Sequence, residues 1–382
     1  LDELRGIADG AGVSLNDIIL LNSRYDLARI RGFSGLNGSK PLSSPSENGK
    51  ETSDEAHVNG LNVQDAVDKQ NGIDNSHAGS HEDDYANECT SGIFLPSVTS
   101  DGSVIVAQNW DMSGQLYLND TAVYLEVHPD PSEDLPSMLL MTEAGQLGRS
   151  GINSAGLAVC ANSLMSTEDY LPYDFTPHVT KQNPLLPMSL VRRAFLHNKS
   201  FSAALITVQN APRHVSNHIG VSTAEGFGMS LEITPSEIHI IYPSAADQHG
   251  FVTHGNHFVS PSFDARGYRD RYPGGSSWFR AERVAQGIRP FAAFRGLTPA
   301  RIKEAFSDHL SCPSSVCQHM EKLDLRNVPD YPYKGLQITV AFLLYNLTER
   351  TLWTCKGPPC MGKFIEIKLD DKQETFAKLK ST

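Results

Sequence analysis

Cys89 opens the run Cys89-Thr90-Ser91-Gly92-Ile93-Phe94-Leu95-Pro96, with a long polar tract before it and Gln108-Asn109-Trp110-Asp111 after it. A cysteine so placed can become a chain end. A thiol titrates near ~8.5 and an α-amine near ~7.7 to 8, so an N-terminal cysteine carries its own general base at an almost matched pKa. No separate histidine is then required. The thiol would first attack the Glu88 carbonyl, giving a thioester that water opens. It would later attack an amide or thioester substrate, and each step passes through a tetrahedral oxyanion. The plainer reading is a packed thiol at a strand start, since cysteine is among the residues most readily buried.

The other cysteines offer a second chemistry. Cys312 and Cys317, like Cys355 and Cys360, are separated by four intervening residues and have His309 and His319 nearby, a set that could serve zinc or two disulfides. Structural zinc sites usually take tighter cysteine pairs, so these read as ordinary thiols in loops and no metal is expected. Six cysteines in 382 residues make no disulfide scaffold and fit a reducing compartment. Asn119, Asn198 and Asn346 each head an Asn-X-Ser/Thr triplet, a pattern too short to decide anything by itself.

From about Arg31 to Glu88 the chain is rich in Ser, Asn, Gly and Asp without helical or strand periodicity, which reads as an exposed, disordered insert. Ser46 to Glu88 holds 11 Asp plus Glu against 2 Lys, a net of −9 out of −12 for the whole chain. The remainder is nearly neutral and has no basic stripe, which argues against a nucleic-acid partner. Apolar runs such as Ile338 to Leu344 fall far short of the ~20 residues that span a bilayer, so no membrane segment is expected. The chain starts at Leu1 inside a helical pattern, and a native start with any targeting signal is expected upstream. The cytoplasm is the expected location.

The elements that must position Cys89 follow from periodicity. Leu1 to Ala8 and Ser14 to Asn22 predict two short helices, the second opened by Ser14 with Asp17 three residues on, close to a capping box. They make residues 1–30 a helical arm. Thr90 to Pro96 and Ser103 to Asn109 flank Asp101-Gly102 and predict a hairpin with Cys89 at its head. Ala122 to Val127, Met138 to Thr142 and Gly156 to Cys160 continue an antiparallel meander, with glycine-rich turns at 143–148 and 151–156. Helices at Met188 to Leu196 and Ser202 to Gln209 precede strands near Gly220, Met229, Ile238 and Phe251, read as a second sheet. Ser277 to Gly287 and Thr298 to His309 read as helices, the latter N-capped by Thr298 with Pro299 in its first turn, before strands at Gln337 to Tyr345, Thr351 to Cys355 and Phe364 to Leu369. Residues 89–382 are expected to form a single α+β core of two sheets sandwiched by helices.

The ordered series Cys89-Thr-Ser, Gln108-Asn-Trp-Asp111, Thr142-Glu-Ala-Gly145 with Gly151-Ile-Asn-Ser-Ala-Gly-Leu-Ala158, and His254-Gly-Asn-His257 resembles the acyl-CoA:6-aminopenicillanic acid acyltransferase family. These are peptidase C45 type proteins of the N-terminal nucleophile hydrolase superfamily. The resemblance runs from about Leu4 to Leu369, omitting the insert. It implies a four-layer αββα sandwich and a precursor that cuts itself between Glu88 and Cys89, leaving 1–88 as a small and 89–382 as a large subunit. It also implies a family portion ahead of Leu1. Asp111 matches the aspartate that orients the N-terminal cysteine, and Asn256 the asparagine whose amide donates to the oxyanion, an interaction worth about 3 kcal/mol when preorganised. Alone, Asp111 reads as a strand-end turn residue and Asn256 as a loop cap. Asn162 is a further pocket candidate. Glu143 reads as a turn stabiliser or a substrate contact, and Arg149 as an anion contact or a solvated charge. His254 and His257 read as loop structure rather than as a metal pair or a cysteine-histidine dyad.

The chain departs from the family pattern at Gly335-Leu336-Gln337, where Ser-Arg-Gly is expected and Lys334 falls one or two positions early. That argues against the penicillin substrate. The end Leu379-Lys380-Ser381-Thr382 also lacks a peroxisomal signal. The leading expectation is a self-processing cysteine amidohydrolase or acyltransferase acting on linear amides or acyl-CoA thioesters through an acyl-Cys89 thioester. Its partners would be a small acyl substrate and its own two subunits. No cofactor is expected, and coenzyme A enters only as part of a substrate. A silent, unprocessed binding module is the alternative, and a zinc hydrolase using His254, His257 and cysteines ranks last.

Overall fold

The computed structural model describes residues 1–31, 88–170, 185–243, 250–272, 275–319 and 337–369. The acidic insert, the Lys334 to Leu336 segment and the C-terminal tetrapeptide lie outside the described residues. An arm of α1 (Asp2–Ala11) and α2 (Leu15–Arg31) leads to β1 (Glu88–Phe94) and β2 (Ile105–Ser113). Then come α3 (Gly114–Leu118), β3 (Ala122–Val127), β4 (Met138–Glu143), β5 (Ser150–Asn153) and β6 (Leu157–Ser163). The pair α4 (Met188–Leu196) and α5 (Phe201–Asn210) precedes β7 (Asn217–Thr223), β8 (Phe227–Ile233), β9 (Ile238–Ile241) and β10 (Phe251–His254). The chain continues through α6 (Pro261–Asp264), α7 (Ser277–Ala292) and α8 (Pro299–Phe306), then β11 (Gln337–Asn346), β12 (Thr351–Lys356) and β13 (Ile365–Lys368).

These strands form two antiparallel sheets, one ordered β10-β1-β2-β11-β12-β13 and the other β3 through β9 in chain order. Strand alternation sorts their side chains. On β2, Val106, Trp110 and Met112 join Ile93, Leu343 and Tyr345 against Leu139, Met141, Ile152 and Cys160 of the facing sheet. Ile105 and Ala107, with Phe342 and Leu344, turn the other way onto Val284 and Ile288 of α7 and Ile302 and Phe306 of α8. The outer face of the seven-stranded sheet packs Leu140, Val159 and Val221 on Val191 and Phe195 of α4 and Val208 of α5. Helix, sheet, sheet, helix is the αββα order expected.

Strand membership differs from the linear reading. β7 to β9 pair onward from β6 and extend the first meander, whereas the first hairpin joins β10 to β13. Segment 151–156 is only partly a turn: Gly151 lies in β5, where a Cβ would sit 2.4 Å from a Leu140 methyl, and Gly156 makes the turn at φ 84°. Asp111 lies inside β2 rather than at its end, and Cys355 is buried in β12 rather than in a loop. α2 runs to Arg31, nine residues past the expected end at Asn22, and α7 to Ala292, five past Gly287; other boundaries agree within a few residues. The capping box is present, with Ser14 N donating to Asp17 Oδ2 (2.9 Å) and Asp17 N to Ser14 Oγ (3.2 Å), and Arg301 N donates to the Thr298 hydroxyl (3.3 Å). Asn346 is buried with its amide on Ser103, which disfavours that triplet as a glycan site. No helix among the described residues is long and apolar enough to cross a membrane.

The arm docks through Leu4, Ala8 and Ile18 against Leu147, and through polar ties: Asn22 Nδ2 to Gly145 O (2.9 Å), Leu147 N to Asn22 Oδ1 (2.9 Å) and Met188 N to Asp26 Oδ2 (2.9 Å). Phe306 joins the helical layer to the six-stranded sheet through the Phe342 ring, with centroids 5.6 Å apart. Phe306→Ala should therefore cost ~3–5 kcal/mol, whereas Ile206→Ala on the exposed face of α5 should stay within ~0.5 kcal/mol. Urea unfolding of both variants measures the contrast, and equal losses would contradict this layer assignment.

Candidate active site

Cys89 lies in β1 opposite Trp110, and Glu88 opposite Asp111, so the 88–89 peptide faces the 110–111 peptide of β2. On its other edge β1 pairs with β10 only from Ser91 onward. Beyond that point no described strand pairs with this edge, and Asn256, two residues past β10, takes that place: Cys89 N donates to Asn256 Oδ1 at 2.8 Å. A buried backbone N–H must find some acceptor, and here it is a side chain.

Arg280 of α7, wholly buried, completes this corner. Its guanidinium donates to Cys89 O (2.6 Å), Thr90 Oγ1 (2.7 Å) and Asn256 Oδ1 (2.7 Å). Asn256 Nδ2 donates to Ser163 O (3.0 Å), and its backbone N to Ser277 Oγ (2.6 Å). In the continuous chain Asn256 thus presents its oxygen to the cysteine nitrogen, where the sequence suggested an amide donor. Asn162 Nδ2 donates to His254 O (2.9 Å) and Gly255 O (2.7 Å), bracing the Asn256 loop from the facing sheet. Gln108 holds Asn162 in turn, donating to Asn162 Oδ1 (3.0 Å) and Ala161 O (2.6 Å) while accepting from Trp110 Nε1 (3.0 Å) and Ser150 Oγ (2.6 Å).

Asp111 is buried and accepts from the Thr339 hydroxyl, beside a register shift between Thr339 and Ala341. Such bulges re-aim side chains at sites. The Cys89 thiol, at 1% exposure, is pushed up by burial. The Arg149 charge draws it down, the Asp111 carboxylate raises it, and an Asp111 backbone hydrogen bond and Arg280 lower it. Cys160, across the seam, is pushed up to about 12 by burial.

Arg149 is not solvated. It is buried over the Trp110 and Tyr25 rings, 4.5 Å from each centroid, and donates to Glu143 Oε1 at 2.8 Å. Glu143 also binds Arg24 and the Tyr25 hydroxyl, so its oxygens fasten α2 to the meander. His254 ends β10 rather than lying in a loop. Its ring stacks on His218 of the facing sheet (3.8 Å, 6° between planes) and meets Glu232 Oε1 at 2.8 Å. Glu232 also accepts from Val259 N (2.6 Å) and Ser260 N (3.1 Å), which fixes the loop after Asn256. Neither His218 ring nitrogen has a hydrogen-bond partner among the described residues. His257 Nδ1 meets Ser277 Oγ at 2.7 Å.

The sequence reading missed Arg280, Thr339, His218, Glu232 and Ser277. An arginine on an amphipathic helix looks solvated, and a buried acid on a strand looks like any polar position. Gln108 stood within the quoted string without a role. The cysteines also group differently: His309, Cys317, His319 and Cys360 bring their ligand atoms within 4.8 Å of one another, while Cys312 is exposed and outside the group.

Two antiparallel sheets packed face to face between helical layers make an αββα sandwich, the architecture of the N-terminal nucleophile hydrolase fold. Residues 98–360, more than half of the chain, match the family described as acyl-coenzyme A:6-aminopenicillanic acid acyl-transferase, and the chain belongs to that family. The matched segment contains Asp111, Asn162 and Asn256 and begins past Cys89. Similar solved structures include the Caenorhabditis elegans ortholog of N-acylethanolamine-hydrolyzing acid amidase, at 15% identity over 68% of this chain and 93% of that one, TM-score 0.46. A Clostridium perfringens conjugated bile acid hydrolase matches at 11% identity over 73% and 92%, TM-score 0.48. Penicillin V acylase from Agrobacterium tumefaciens matches at 16% over 75% and 89%, TM-score 0.46.

Burial and the neighbouring His254 push His257 down from 6.5 to about 4, and burial drives His218 in the same direction. A folded pKa below the unfolded value means the unfolded chain binds more protons, so this stability is complete above pH 6.5 and lost as pH falls toward about 4. Thermal melts of the Cys89→Ala chain should be flat in this respect above 6.5 and decline below it, with a shallower decline in His257→Gln. An unchanged slope in that variant would contradict the assignment.

Proposed function

We propose that this protein is a self-processing cysteine amidohydrolase or acyltransferase whose nucleophile is Cys89, freed by cleavage between Glu88 and Cys89. The Cys89 thiol attacks the Glu88 carbonyl carbon, the peptide nitrogen leaves with the thiol proton as the free α-amine, and water opens the resulting thioester to a Glu88 carboxylate and the Cys89 thiol. The same sulfur then attacks a linear amide or an acyl-CoA thioester, and the α-amine takes and returns the proton. Water or an amine acceptor resolves the acyl-Cys89 thioester.

The observation that carries this reading is the nitrogen of Cys89. The atom that would become the base already hydrogen-bonds a side chain, Asn256, itself held by Arg280, instead of a neighbouring strand. Asp111 would orient the site across the strand pair from Glu88, Asn256 would serve the oxyanion once the chain opens, and Asn162 would hold the Asn256 loop. The clasp on Glu143 and the ties of Asn22 and Asp26 would keep the arm attached as a small subunit after the cut. Burial of the thiol in the continuous chain favours the second reading, an unprocessed binding module with the acidic insert as its interaction segment.

Intact mass and N-terminal sequencing of the purified full chain decide between them. The native chain should yield a fragment beginning at Cys89, Cys89→Ala should stay whole, and Asn256→Ala should slow turnover of amide substrates by ~10²-fold or more. A native chain that stays whole over days while folded would overturn the self-processing enzyme. Assays with and without coenzyme A thioesters and added amines then separate hydrolysis from transfer.

A further inference from the structure

We propose that His309, Cys317, His319 and Cys360 form a tetrahedral zinc site remote in chemistry from Cys89. His319 Nε2 lies 3.0 Å from His309 Nε2, 3.5 Å from Cys317 Sγ and 3.3 Å from Cys360 Sγ. A ring nitrogen has one lone pair or one hydrogen, so it can satisfy only one of these three neighbours by hydrogen bonding. A shared cation satisfies all four atoms at once. With Zn–N bonds of ~2.0 to 2.1 Å and Zn–S bonds of ~2.3 Å, tetrahedral ligands stand about 3.3 Å apart for two nitrogens and about 3.5 Å for nitrogen and sulfur. The three separations agree within a few tenths of an ångström.

The donor set selects the metal class. Two thiols and two imidazoles favour zinc over magnesium or calcium, and four protein donors close the coordination sphere as structural zinc sites do. Binding releases the two thiol protons, and two thiolates with two neutral imidazoles balance the charge of the ion.

The placement gives the ion a task. Three ligands come from the loop after α8 and the fourth from the Pro358–Gly362 turn between β12 and β13, so the ion would tie two segments that share no strand pairing there. Two of the ligands bracket Gln318. That residue's backbone exchanges hydrogen bonds with Thr339, N to Oγ1 at 2.9 Å and O from N at 3.1 Å, and the Thr339 hydroxyl donates to Asp111.

Metal analysis of the full chain, expressed with zinc and desalted, should find about one zinc per chain. Cys317→Ser and Cys360→Ser should fall to background while Cys312→Ser keeps its zinc. Cobalt substitution of the native chain should give the visible bands of a four-coordinate ion with thiolate ligands. Because Cys317→Ser can unfold its loop, release of zinc from the intact native chain by a mercurial thiol reagent, read with a chromogenic chelator, supplies a measurement free of mutation. A native chain without zinc and without cobalt bands, its thiols freely alkylated or Cys317 joined to Cys360 in a disulfide by mass, overturns the proposal.

Discussion

The arrangement depends on one constraint: two sheets press apolar inner faces together, yet a run of polar side chains crosses that interface beside Cys89. Each buried donor or acceptor left unmade there costs ~1–3 kcal/mol, so the crossing groups must satisfy one another in series. Gln108 reaches from β2 to Asn162 on β6, Asn162 reaches back to the carbonyls of His254 and Gly255, and Asn256 reaches across to Ser163. The His254–His218 stack crosses at the same level. No member can move alone without stranding a neighbour. The seam therefore holds the Cys89 end of β1 in a fixed relation to both sheets, although β10 has already ended.

That rigidity has an electrostatic consequence. Burial penalises the Cys89 thiolate in the continuous chain, while Arg149 and Arg280 bring positive charge that partly offsets the penalty. Arg149 itself is compensated by Glu143 and sits over aromatic faces, so its charge is held in place by packing as well as by pairing. A buried arginine stripped of such a partner would be strongly destabilising, by ~3–5 kcal/mol. The arm, through Arg24, Tyr25 and Glu143, is thus coupled to the electrostatics of the cysteine without touching it.

Much of this was readable in sequence where physics is local. The apolar run Ala122 to Val127 marked β3 to the residue, the Ser14 and Asp17 pair marked the start of α2, and Thr298 with Pro299 marked α8. Reading failed where partners are distant. Nothing between Ser163 and Asn217 says that β7 returns to β6, so three strands were given to the wrong sheet. β5 was hidden because Gly151, present to let Leu140 approach, looks like a turn residue. Arg280 and Thr339 lie far along the chain from the groups they hold. Cysteine spacing is silent for the same reason: the fold brings Cys317 near Cys360 from the far side of β11 and β12, while Cys312 stays outside that group.

The loop after α8 shows why such distant partners matter. Its backbone carbonyl at Val316 accepts from Asn109 (2.7 Å), as does that of Phe306 (2.9 Å), and Gln318 grips Thr339. Asn109 and Asp111 alternate on the same face of β2, the face away from the thiol's apolar seam, so this loop clamps the strand from the helical side while Gln108 and Asn162 clamp it from the other. β2 is therefore held from both faces at the residues flanking Trp110, the strand partner of Cys89. The β11 bulge between Thr339 and Ala341 lies within this double clamp, where its distortion of the ladder is offset by side-chain hydrogen bonds to Asp111 and Gln318. Fixed in this way, β2 holds the Asp111 carboxylate one register position from Trp110, the partner of Cys89 on β1, so that the strand pair keeps the carboxylate and the cysteine in a set relation.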